Sequence, residues 1–62
     1  MANQISRITD EDDWRITTFD NGDGTVRLCI DDGADSYMSV DIAAEQVRAL
    51  VEPLAAWLET QR

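Results

Sequence analysis

The sequence predicts an α+β fold: a three-stranded antiparallel β-meander packed on one C-terminal α-helix (β-β-β-α). Three observations carry that expectation. Apolar and polar residues alternate in three short segments between Trp14 and Val40. Two turn-forming stretches, GDG and GAD, separate those segments. From Ile42 onward the apolar spacing changes to three and four, which is one face of an amphipathic helix.

Residues 1–13 are polar, with Ile5 and Ile8 isolated among them, and they end in the acidic run DEDD. This stretch reads as a flexible acidic lead-in with a short extended piece at Ile5–Thr9. Residues 14–62 read as the single domain. WRITTFD places Trp14, Ile16 and Thr18 on one face and Arg15, Thr17 and Phe19 on the other. TVRLCID places Val26, Leu28 and Ile30 opposite Arg27 and Cys29. SYMSV places Met38 and Val40 opposite Tyr37 and Ser39. In the helix, Val47, Leu50, Val51, Leu54, Trp57 and Leu58 make the apolar stripe. Asp41 is the expected N-cap, because a carboxylate there accepts from orphan backbone N–H groups and suits the positive end of the dipole. Pro53 removes one helical hydrogen bond and crowds the preceding turn. It predicts a kink or a break into two short helices.

Register follows from the need to keep apolar faces together, since a one-residue slip turns every side chain over. Ile16 beside Ile30 and Thr18 beside Leu28 leaves Gly22–Gly24 as a three-residue turn. Gly24 then falls where a left-handed residue is required. Ile30 beside Met38 and Leu28 beside Val40 leaves Gly33–Asp35 as the second turn, with Asp35 expected in the left-handed position. The outward rows become Phe19–Arg27–Asp41, Thr17–Cys29–Ser39 and Arg15–Asp31–Tyr37.

The charge balance narrows function. There are 13 acidic residues against 5 basic ones, giving a net charge of −8 in 62 residues. A direct nucleic-acid binder needs clustered cations; this chain has no Lys, and anionic membranes are disfavoured for the same reason. A basic protein partner is favoured. The register gathers Asp10, Glu11, Asp12, Asp13, Asp31, Asp32 and Asp35 at one end as an acidic pole. Phe19, Cys29, Tyr37, Trp14 and Trp57 are candidate interface residues. A domain this short has a small core, so association into a homodimer is expected.

Catalysis finds little support. With no His and one Cys, no catalytic residue, cofactor site or metal site is assigned. The absence of an apolar leader or spanning stretch predicts a cytoplasmic protein. NGDG resembles part of an EF-hand loop, so a calcium-binding module through Asn21–Gly24 is an alternative, as is a small structural protein. Placing Gly24 at loop position 6, however, puts apolar Phe19 and Ile30 at the anchoring positions 1 and 12.

DEDDWRITTFDNGDGTVRLCIDDG followed by SVDIAAEQVRALVEPLAAWLE resembles, over residues 14–60, small acidic proteins of actinobacteria and their phages. In these, short strands lead into an E-Q-V/A-R-A-L helix. The resemblance implies a mycobacterial or related phage origin and no functional residue. The expected function is a non-enzymatic acidic interaction module. It is expected to be a phage-encoded modulator that binds a basic surface of a host protein, with DNA mimicry as its sharpest form.

Overall fold

Period-2 alternation becomes a four-stranded antiparallel sheet in the computed structural model, which describes residues 3–61. The strands are β1 (Asn3–Thr9), β2 (Arg15–Asp20), β3 (Thr25–Asp31) and β4 (Tyr37–Ala43), in spatial order 1-2-3-4. One helix, α1 (Ala44–Glu59), follows β4 directly. The α+β meander with a C-terminal helix is therefore as expected, but the strand count rises from three to four. The extra strand lies in the stretch read as a lead-in. Its pairing with β2 shifts between Gln4 and Ser6, where a β-bulge admits Ile5 as an additional residue. Past the bulge, Ser6 meets Thr18 and Ile8 meets Ile16, so β1 joins the apolar face.

The central registers match the pattern argument residue for residue. Ile16 pairs with Ile30 and Thr18 with Leu28 across β2 and β3. Ile30 pairs with Met38 and Leu28 with Val40 across β3 and β4. Asn21 N–H donates to Thr25 O at 3.1 Å and closes the first of these turns. Both of its glycines have positive φ, +82° at Gly22 and +91° at Gly24. In the next turn the left-handed residue is Gly33 (φ +77°) and not the expected Asp35. The reason is the anchoring upstream of it: the Asp31 and Asp32 carboxylates accept from Gly33 and Ala34 N–H, each at 2.9 Å. Those bonds fold the chain back at Gly33, where left-handed backbone carries no Cβ penalty.

The helix start also differs from expectation. The N-cap is Ala43, not Asp41. Strand pairing continues through Val26–Ile42 and Thr25–Ala43, so Asp41 lies within β4 beside Arg27. Ala43 offers no side-chain oxygen, and Gln46 Oε1 instead accepts the Ala43 N–H at 2.9 Å. That is one half of a capping box. The helix passes Pro53 without a break. Its end tightens into i→i+3 bonds, with Thr60 N–H on Trp57 O and Gln61 N–H on Leu58 O.

The molecule is flat, 35 × 33 × 15 Å. Val47, Leu50 and Val51, in the N-terminal half of α1, line a recess of about 240 Å³ together with Val26, Leu28 and Ile42. Farther along, Leu50 and Leu54 border a wider groove floored by Ile8, Ile16, Ile30 and Met38. No described residue of the helix is buried. The two buried residues among those described, Thr17 at 3% exposure and Cys29 at 6%, lie on the opposite face of the sheet.

Candidate interaction surfaces

Three regions collect the residues singled out from the sequence: the acidic end, the outer sheet face and the inner groove. The hairpin turns 10–14 and 32–36 lie at the same end of the sheet because β1 ends, β2 begins, β3 ends and β4 begins there. The acidic pole is thus assembled by topology. Its carboxylates divide into two groups with different tasks.

Asp10, Asp31 and Asp32 build the turns. Asp10 Oδ1 accepts from Asp12 and Trp14 N–H, both at 2.9 Å. Asp32 Oδ1 accepts from Ala34 N–H at 2.9 Å and Ser36 N–H at 3.2 Å. Asp31 Oδ1 accepts from Gly33 N–H and from Arg15 Nε at 3.0 Å, and the Arg15–Asp31 ion pair ties β2 to β3 at this end. These bonds favour the charged carboxylate. The Arg15 hydrogen bond, then the Gly33 N–H, holds Asp31 below the usual carboxylate range. The Ala34 and Ser36 N–H groups do the same for Asp32.

Glu11, Asp12, Asp13 and Asp35 are displayed on those turns, and their side chains have no hydrogen-bond or ion-pair partner among the described residues. Asp13 sits in left-handed backbone at φ +68°. Asp and Asn tolerate this better than most residues. Beside these turns, Trp14 and Tyr37 join Asp35 in lining a shallow recess of about 370 Å³. Trp14 is 41% exposed and Tyr37 66%.

The outer sheet face carries Arg15, Thr17, Phe19, Arg27, Cys29, Tyr37, Ser39 and Asp41. It is neither bare nor sticky. Arg27 Nε donates to Asp41 Oδ1 at 2.9 Å, and Asn21 Nδ2 donates to the same oxygen at 3.1 Å. Arg27, then Asn21, lowers the Asp41 pKa, and Asp41 in turn raises that of Arg27. Cys29, expected within an interface, is buried, with its Sγ 3.6 Å from the Tyr37 hydroxyl. Of the expected outer-face trio, Phe19 is half-buried and Tyr37 stays exposed.

The first glycine turn is closed on itself. Asp20 Oδ1 accepts from Gly22 N–H at 2.9 Å. Asp23 Oδ1 accepts from Thr25 Oγ1 at 2.6 Å and Thr25 N–H at 3.1 Å, and these bonds lower its pKa. Its carboxylates point into backbone geometry and not toward a shared centre. Among the described residues no group of three or more Cys, Asp or Glu is placed to hold a metal ion.

The inner groove is the region the sequence did not announce as a site. It measures about 460 Å³, and no charged side chain lines it. Its apolar residues were legible individually, but as a core. Among the described residues no helix is long and apolar enough to cross a membrane. Neither a family model, a curated protein nor a solved structure matches the chain.

Proposed function

We propose that the chain is a non-enzymatic interaction module whose acidic end binds an arginine-rich surface of another protein. The observation that carries this reading is the display of Glu11, Asp12, Asp13 and Asp35 on turns fixed by Asp10, Asp31 and Asp32, beside the Trp14–Tyr37 recess. Carboxylates on preorganised turns lose little conformational entropy when they engage a cation. An aromatic ring beside them can stack on a guanidinium, which lysine matches less well. The net charge of −8 steers a basic partner toward this end.

In the phage setting implied by the sequence style, the partner is a host protein. Where that surface is a nucleic-acid site, the module acts as a DNA mimic. The test uses a variant that spares the turn-holding carboxylates: Glu11→Gln, Asp12→Asn, Asp13→Asn and Asp35→Asn together. The parent chain should capture a basic protein from extract at low salt and release it at high salt. The variant should bind at least about tenfold more weakly, the scale of a 1.4 kcal/mol loss. Equal binding by the variant would show that these carboxylates are only solubilising. Mimicry adds a stricter requirement: duplex DNA must compete for the same target.

A further inference from the structure

The inner face presents two apolar surfaces without cover. One is the trough of the sheet, where Ile16 and Ile30 are 38% and 41% exposed and Ile8 64%. The other is the ridge of the C-terminal half of α1, where Leu54, Trp57 and Leu58 are 56%, 59% and 63% exposed. We propose that this trough and ridge together form an interface with a second copy of the chain, paired about a two-fold axis.

Area supports that occupant. A compact chain of this length has a radius of gyration of about 10.6 Å; here it is 13.0 Å. A compact protein of this mass exposes about 4,000 Å², and this one exposes 5097 Å². The excess of about 1,000 Å² compares with the roughly 800 Å² that each partner buries in a standard stable interface. The large apolar residues Ile8, Ile16, Ile30, Met38, Leu54, Trp57 and Leu58 all remain exposed, and contiguous apolar surface is rarely left open on a soluble monomer.

Complementarity identifies the partner more closely. A foreign chain would have to bring both a ridge for the trough and a trough for the ridge. A second copy supplies both at once, because a two-fold axis makes each contact occur twice. Charge does not oppose the pairing within the groove, since its lining is uncharged and the acidic turns lie at the end of the sheet. The trough shares Ile30 and Met38 with the Trp14–Tyr37 recess, so the pairing borders the acidic end, and it does not rest on the function proposed there.

Light scattering after size exclusion at about 100 µM, well above the micromolar-to-picomolar dissociation constants of interfaces this large, should give twice 7.0 kDa, or about 14 kDa. Trp57→Glu alters only the exposed ridge and should return the mass to 7.0 kDa. If that variant unfolds, the parent chain still decides the matter. Its melting temperature should fall on hundredfold dilution, and its tryptophan emission should shift to the red. Three results would overturn the proposal: a 7 kDa parent with a concentration-independent melting temperature, a Trp57→Glu variant that stays at 14 kDa, or a monomer that takes up an added amphipathic helical peptide on this face.

Discussion

The two faces of the sheet invert what their composition suggests. The outer face is built from Thr17, Cys29, Ser39 and charged residues, with Phe19 and Tyr37 toward its ends, yet it contains both buried residues among those described. The inner face is built from Ile, Leu, Met and Val, yet Ile16, Ile30, Met38 and Val40 all remain substantially exposed. Small side chains on central strands are covered by longer neighbours on the same sheet, while large apolar ones stand proud and need a second layer. The helix supplies only part of that layer. Apolar character therefore marks a demand for cover, and burial records whether the chain itself has met it.

The largest expected effect lies on the inner face. Ile30→Ala should destabilise by about 2–5 kcal/mol if a second copy covers the site, as for a buried isoleucine. Chemical denaturation at two protein concentrations checks this. A loss near 1 kcal/mol, the same at both concentrations, would mean that the face stays open. On the outer face, Cys29→Leu should cost about 1–3 kcal/mol by overpacking, with no change in molecular mass. A neutral result would show that the burial of Cys29 is loose.

Next in size is Gly24→Ala. An added Cβ meets nothing within 4 Å, so only the backbone at φ +91° resists it. The expected cost is about 1–2 kcal/mol, or a fall of roughly 4–16 °C in melting temperature for a domain this small. An unchanged melting temperature would mean that the turn adopts another conformation.

Acidification should have the smallest effect of the four, and it acts on the outer face and the turns. Asp23, Asp31, Asp32 and Asp41 all have lowered pKa values in the folded chain. Their contribution is fully present above the unfolded value, about 3.9 for Asp. It is lost as pH falls through the lower folded values. Stability measured against pH should therefore drop below about pH 4, and a flat profile down to pH 2 would remove these bonds from the account.

Much of this architecture was legible in the residues. Alternation at Ile16–Thr18, Leu28–Ile30 and Met38–Val40 sufficed to set both central registers. β1, read from the sequence only as a short extended piece at Ile5–Thr9 within a flexible lead-in, breaks alternation: Ile5 and Ile8 are three apart. The bulge absorbs that odd residue, and a strict period-2 reading has no place for it. Asp41 resembles a cap in sequence, but the ladder to Arg27 and the Gln46 contact to Ala43 move the helix start two residues on.

The acidic end was legible as a gathering of charge, and its division of labour was not. The clue lay in Asp residues that open D-x-G and D-x-A stretches, as at Asp20, Asp31 and Asp32. Such side chains commonly bond backbone N–H groups two residues on. What no pattern disclosed was the open groove. Periodicity says which residues share a face, and nothing about whether one helix is wide enough to cover it.

The order of strands in the sheet carries one more consequence, for the timing of folding. Each strand pairs with the one just before it in the chain, so every hairpin closes over a short loop. Such local closures take about 1–10 µs each. The sheet can therefore assemble hairpin by hairpin while its apolar face is still uncovered. If two chains complete that face, the slow event in refolding is their encounter, and its rate should rise with protein concentration. A stopped-flow trace that is the same at every concentration would place the slow step within a single chain.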